Sequence, residues 1–248
     1  MHRFYLPPAQ CQGNSLSLEG SEAHHALHVL RVRQGDRVTV LNGAGDQFLC
    51  EVGKGTRDSV QLHVLERVSI PAPACQLTLA QALPKGKLIE SIIQKATELG
   101  VARIVPLIAE RSVIHLGTEE REPKRAKWQS VAVEAAKQCG AARLPKVEAP
   151  VAPKDFLATC SPFEMALVGS LQSDSKHPRQ YFEAFQRKHG RKPKAICLWI
   201  GPEGDFSKDE LSMIQAAGAL PISLGPMVLR TETAAVYCLS IANYELQG

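Results

Sequence analysis

Two short stretches hold the residues best suited to chemistry. The first is Gly201-Pro202-Glu203-Gly204-Asp205-Phe206-Ser207, directly after the apolar run AICLWI. The second is Leu224-Gly225-Pro226-Met227-Val228-Leu229-Arg230-Thr231-Glu232-Thr233, directly after PIS. Each leaves a short apolar run, turns at Gly-Pro and enters a helix-like pattern. Glycine lets backbone approach a ligand closely, and open α/β sheets bind ligands just beyond the carboxyl ends of their strands. Glu203 is held in a tight turn of this kind. It suits either proton acceptance or closure of the turn by accepting backbone N–H groups. Ser207 with Glu210 has the spacing of a capping box. Thr231 or Thr233 can cap the following helix, with Glu232 at its positive end.

Other chemistries lack their signatures. There is no GxxxxGK[ST], GxSxG or HExxH. Gly43-Ala44-Gly45 is followed by a strand-like run rather than a helix, so it fails as a dinucleotide fingerprint. His24 and His28 share one expected helix face but have no carboxylate or cysteine partner nearby in sequence, and no metal site is expected. The seven cysteines are scattered without CxxC spacing, as in a reduced, cytoplasmic protein whose cysteines pack as small hydrophobes. No apolar run approaches the ~18 residues of a membrane span. The N-terminus has no apolar segment of the kind a secretory leader needs.

The elements that position these loops follow from pattern. A chain of 248 residues with 44% hydrophobic and 22% charged residues matches globular averages and argues against disorder or coiled coil. Up to about residue 70 the short alternating runs HRFYL, RVTVL, QFLCEV and SVQLHVLERV predict strands. The turn NGAGD joins two of them as a hairpin. SEAHHALHVLRV predicts one helix with Ser21 as its N-cap. Strands with one helix suggest a small β-barrel over residues 1–70. IPAPA, from Ile70 to Ala74, reads as a linker.

After it, strand and helix patterns alternate. LTLAQAL, RIVPLI, MALVGS, AICLWIG and PISLG predict strands. KLIESIIQKATELGV, AKWQSVAVEAAKQCG, KDELSMIQAAG and TAAVYCLSIANYEL predict helices. Such alternation implies a mainly parallel sheet covered on both faces, over residues 73–248. The net charge of +4 is too mild to require a nucleic-acid partner. The clusters RKHGRKPK (Arg187 to Lys194) and KRAK (Lys124 to Lys127) read more as solvated surface than as RNA sites.

Together, IGPEGDFS, PISLGPMVLRTETA, QKATELGV and EAAKQCG, in that order behind a small β domain containing HVLRVRQGD, resemble the RsmE family. These are 16S ribosomal RNA uridine-N3 methyltransferases of the SPOUT superfamily. The sequence departs from the family pattern at Asp205, Ala141 and Met227. The resemblance implies a PUA-like RNA-binding barrel followed by an α/β domain with a deep trefoil knot. It also implies S-adenosylmethionine (SAM) as methyl donor, 16S rRNA or the 30S subunit as partner, and a homodimer with no membrane attachment.

On that reading the donor pocket uses the backbone of Ile200, Gly201, Leu224, Gly225 and Leu229, with Val168 and Gly169 closing a third side. Arg230 and Glu203 are the expected catalytic groups, and Arg3, Arg31 and Arg33 the expected RNA phosphate contacts. Two alternatives stay open: a non-catalytic RNA-binding or ribosome-assembly protein on the same fold, and a SPOUT methyltransferase with another RNA target.

Overall fold

The computed structural model describes residues 1–56, 58–114, 116–171 and 175–247. The chain divides into two units, one of residues 1–72 with 133–144, the other of residues 73–132 with 145–248.

The first unit holds β1 (His2–Tyr5), β2 (Ser15–Glu19), α1 (Gly20–His24), β3 (Arg37–Leu41), β4 (Asp46–Gly55) and β5 (Ser59–Ser69). The strands form one sheet in the order β1-β3-β4-β5-β2. Only the β1–β3 pair is parallel. The NGAGD turn makes the β3–β4 hairpin as expected. Gly43 and Gly45 take positive φ, and the Asn42 side-chain oxygen accepts the N–H groups of Ala44 and Asp46. The inward residues of the strands, among them Phe4, Leu16, Leu18, Val40, Phe48 and Leu62, form its core.

Two local expectations change here. Ser21 lies inside α1, whose N-cap is Glu19 without a side-chain cap bond. The helix then widens into a π-helical turn over His25–Val29 instead of running regularly to residue 32. Strand β2 has only two apolar positions, Leu16 and Leu18, and gave no separate signal.

The second unit runs β6 (Gln76–Ala82), α2 (Leu88–Glu98), β7 (Arg103–Leu107), α3 (Thr118–Cys139), β8 (Lys146–Val147), α4 (Pro153–Thr159), β9 (Met165–Gly169), α5 (Pro178–His189), β10 (Ala195–Ile200), α6 (Lys208–Ala216), β11 (Ala219–Ile222) and α7 (Thr231–Gln247). All six strands are parallel, in the order β11-β9-β10-β6-β7-β8. The last seven residues of α3 belong with the first unit.

Alternation along β10 directs its side chains to both faces of the sheet. Trp199 and Cys197 join Phe156 of α4 and Leu211 and Ile214 of α6 in one core layer, with the Trp199 and Phe156 rings 5.2 Å apart. Full burial of a side chain of this size contributes about 2–3 kcal/mol. Helices α2 and α7 pack against each other, and the Asn243 amide donates to the Leu99 carbonyl at 2.6 Å. The apolar stripe Ile89, Ile92, Ile93 and Ala96 of α2 is buried as its spacing requires.

Strand register sets the next level. Ile200 of β10 pairs with Gln81 of β6, Trp199 with Val168 of β9, and Ile222 of β11 with Gly169. The carboxyl ends of four strands are therefore aligned, and the connections that follow them share one edge.

Candidate active site

A cavity of about 280 Å³ opens at that edge. Its walls are the end of β9 (Gly169, Ser170), the 200–205 turn and the 223–229 segment, with Thr231 and Ala234 of α7 at its floor. The chain supplies this geometry locally. The GPEG turn is closed by the Asp205 N–H donating to the Pro202 carbonyl at 2.9 Å. Ser207 and Glu210 then form the expected capping box at the start of α6. Asp205 itself sits at φ 61°, in the left-handed region that favours glycine.

Polar side chains fix the two loops to their surroundings. The Glu203 carboxylate accepts the Lys85 N–H at 3.0 Å, which ties the turn to the segment after β6. The Thr231 hydroxyl donates to the Gly201 carbonyl at 2.7 Å and accepts from the Gln81 amide at 2.9 Å. The hydroxyl is thus used as a clamp between β6, β10 and α7. Gln81 is fully buried and donates also to the Ala82 carbonyl. From outside the turn, Arg111 donates to the carbonyls of Gly204 and Phe206 at 2.8 and 3.5 Å.

Of the expected donor-site residues, Gly169, Ile200, Gly201, Leu224, Gly225 and Leu229 line the cavity. Val168 does not. It is fully buried in the core layer and supports Gly169 from behind. Glu203 lines the cavity, whereas Arg230 lies between the lining residues Leu229 and Thr231, is exposed, and has no side-chain hydrogen bond or ion pair among the described residues.

The walls suit a ligand recognised by main chain. The N–H groups of Leu224 and Leu229 bond to nothing among the described residues. A Cβ on Gly225 would meet nothing within 4 Å, and one on Gly169 would meet only ordinary contacts from 3.5 Å outward. At Gly201 a Cβ would lie 3.0 Å from the Asp205 carboxylate and 3.1 Å from the Phe206 nitrogen, so that turn admits only glycine as it stands. The nearby thiols are inert. Burial pushes Cys238 of α7 up to about 12, and raises Cys197 of β10 well above the ordinary thiol range.

Comparison with known proteins gives this edge its context. An RNA methyltransferase domain profile matches residues 71–243, and an RNA methyltransferase PUA domain profile matches residues 18–65. Ribosomal RNA small subunit methyltransferase E of Bacillus subtilis is 30% identical over 254 residues, covering 100% of this chain and 98% of that protein. The chain belongs to the ribosomal RNA small subunit methyltransferase E family.

Two solved structures agree. A methyltransferase from Legionella pneumophila, in complex with bound cofactor SAM, has a TM-score of 0.86 at 33% identity, over 99% of this chain and 96% of its own. The family member from Neisseria gonorrhoeae, bound to S-adenosyl methionine, has a TM-score of 0.84 at 26% identity, over 98% and 97%. The fold is accordingly the SPOUT methyltransferase fold behind a PUA-like unit, as the resemblance implied.

The three arginines expected at RNA have different surroundings. Arg3 donates to the carbonyls of Gln138 and Lys137 at 2.9 and 3.4 Å, at the end of α3, where a cation offsets unsatisfied carbonyls. Arg31 and Arg33 are exposed on the loop before β3. Arg31 has φ 53°, and the Arg33 N–H donates to Asp36 at 2.7 Å.

Several residues of the site went unmarked in the sequence: Gln81 and Lys85, which hold the loops, and Ser170 and Ser223 in the walls. Lys85 acts through its backbone, so no side-chain signal could have found it. Gln81 had one weak signal, a polar residue near the end of an otherwise apolar buried strand. No helix among the described residues is long and apolar enough to cross a membrane.

Proposed function

We propose that this chain transfers a methyl group from SAM to N3 of a uridine in small-subunit ribosomal RNA. The observation that carries the reading is the cavity at the aligned strand ends, walled by the two Gly-Pro loops, with the Leu224 and Leu229 N–H groups unbonded among the described residues. Relatives across the full length are ribosomal RNA small subunit methyltransferases, and two related structures contain SAM.

In this reading the main chain of Ile200, Gly201, Leu224, Gly225 and Leu229 recognises the adenosine part of the donor, and Gly169 leaves it room. The sulfonium donor supplies an already activated methyl group. The protein has then to bring uracil N3 in line with it, and positioning of this kind is worth roughly 7–11 kcal/mol. Arg230, between the lining residues Leu229 and Thr231, orients the uracil and stabilises the negative charge that develops as the N3 proton passes to water, while the sulfur keeps the electron pair of the broken S–CH3 bond and leaves as the neutral thioether. Glu203 is a positioning residue that keeps the 201–205 turn in place through Lys85. Arg31 and Arg33, exposed on the PUA-like unit, are the better candidates for phosphate contact. Arg3 shares that role only by giving up the α3 carbonyls. The substrate is 16S rRNA, free or in the 30S particle, and the protein works in the cytoplasm.

A homodimer completes this reading. Tyr237 and Tyr244 of α7 are exposed at 45% and 77%. Tyr237 lines a hollow between α7 and α2 and Tyr244 lies further along α7, a surface suited to a second copy.

The test is nucleoside mass spectrometry of small-subunit rRNA from a strain lacking the gene beside its parent. Loss of 3-methyluridine, restored by the cloned gene, is expected. Persistence of 3-methyluridine with loss of another methylated nucleoside would overturn the N3 assignment. No change in any nucleoside would favour a binding protein without catalysis.

A further inference from the structure

Asp205 occupies a backbone position that its own turn does not require. At φ 61° a glycine would make the turn without strain, although aspartate tolerates this region better than most residues. One carboxylate oxygen, Oδ1, accepts the Phe206 N–H at 2.8 Å. The other has no hydrogen-bond partner among the described residues. The residue lines the cavity beside Glu203. Among the described lining residues these two carboxylates are the only charged side chains, with no Lys, Arg or His. This negative wall runs against the balance of the chain, which is +4. Arg111 holds the same turn, but through the Gly204 and Phe206 carbonyls rather than through a carboxylate.

We propose that Asp205 is a specificity-determining residue that makes the pocket prefer the positively charged sulfonium donor over its neutral thioether product. This rests on the reading of the cavity as the SAM site. SAM and S-adenosylhomocysteine share their adenosine and amino-acid ends. They differ by one methyl group and by the positive charge on sulfur. A carboxylate in a half-enclosed cavity attracts the first and has no net charge on sulfur to attract in the second. At several ångströms, with a dielectric between that of water and protein, one unit charge corresponds to about five- to tenfold in affinity. The product then leaves a site that favours its replacement by fresh donor.

Calorimetric titration of the intact protein with three ligands tests this: SAM, S-adenosylhomocysteine and sinefungin, which carries a protonated amine where the sulfonium stands. Asp205→Asn removes the charge while keeping an acceptor for the Phe206 N–H. Asp205→Gly removes the side chain and suits the backbone, so folding is kept. Both variants are expected to weaken SAM and sinefungin about five- to tenfold and to leave S-adenosylhomocysteine within about twofold. An equal change for all three ligands, or no change, refutes the proposal while leaving the donor site in place. Failure of the unaltered protein to bind any of the three at millimolar concentration refutes both.

Discussion

The clamp at Thr231 gives the sharpest test of how the donor loops are held. Thr231→Val keeps the shape of the side chain and removes only the hydroxyl. Two hydrogen bonds go with it, to the Gly201 carbonyl at 2.7 Å and from the Gln81 amide at 2.9 Å. Gln81 is fully buried and its other amide hydrogen is already given to the Ala82 carbonyl. Its side-chain oxygen is buried without a partner among the described residues. Turning the amide over would set that oxygen against the Ala82 carbonyl, so the network has no easy rearrangement. Each buried polar group left unpaired costs about 1–3 kcal/mol, and two give a loss of about 2–6 kcal/mol in stability. The freed Gly201 peptide is part of the cavity wall, so SAM affinity should fall by about tenfold, the equivalent of ~1.4 kcal/mol. Urea unfolding read by tryptophan fluorescence and titration with SAM measure the two effects. Thr231→Ser, which keeps the hydroxyl, should restore most of both. A valine variant with unaltered stability and SAM affinity would show that the clamp does not hold the loops.

Three further outcomes follow from the same contacts. Arg230→Ala should lower the methylation rate by about 10²–10³ without loss of stability, as for removal of one stabilising donor in a transition state; unaltered turnover would remove Arg230 from the site. Glu203→Gln keeps an acceptor for the Lys85 N–H, so turnover within about fivefold of the parent is expected, compared with the 10²–10⁴ contribution of a general base; a loss of that larger size would make Glu203 the proton acceptor. Glu164 is held down to about 2 by the Arg191 guanidinium and the Lys194 N–H. Its unfolded value is 4.5, so its contribution to stability is complete above that pH and disappears as pH falls through about 2. Glu164→Gln should therefore melt below the parent at pH 7 and approach it as the pH is lowered from 5 toward 2, and a gap that stays constant over that range would refute the assignment.

The fold was legible wherever a local pattern carried it. Strand β10 announced itself as six consecutive apolar or small residues, and α2 as an apolar stripe with Gly100 as its stop, at φ 74°. The capping box at Ser207 was readable because both its members lie within one turn. Helix α5 gave no comparable signal. It opens at a proline, is largely polar, and buries only Pro178 and Phe182. Residues 133–144 read as part of the α/β region, yet they count with the first unit. There the buried Lys137 ammonium meets Glu22 at 2.7 Å and Glu134 at 2.9 Å. Only the second of these partners is near in sequence. A guanidinium such as that of Arg3 fits phosphate and helix-end carbonyls equally well, so residue type alone could not choose between them.

The candidate site divides along the same line. Its walls are local: Gly-Pro turns, glycines and a cap, each set by residues within a few positions of one another. Its closure is remote, since Gln81 meets Thr231 across 150 positions and Lys85 meets Glu203 across 118. A sequence shows the walls because short turns have few chemical solutions. It hides the closure because any buried amide or hydroxyl can serve, and which one does depends on strand order. With β6 beside β10, the last residues of both strands meet the first turn of α7. A change of strand order that left every motif intact would separate the two loops and remove the cavity. The loops therefore name the chemistry, but the order β9-β10-β6 makes it a site.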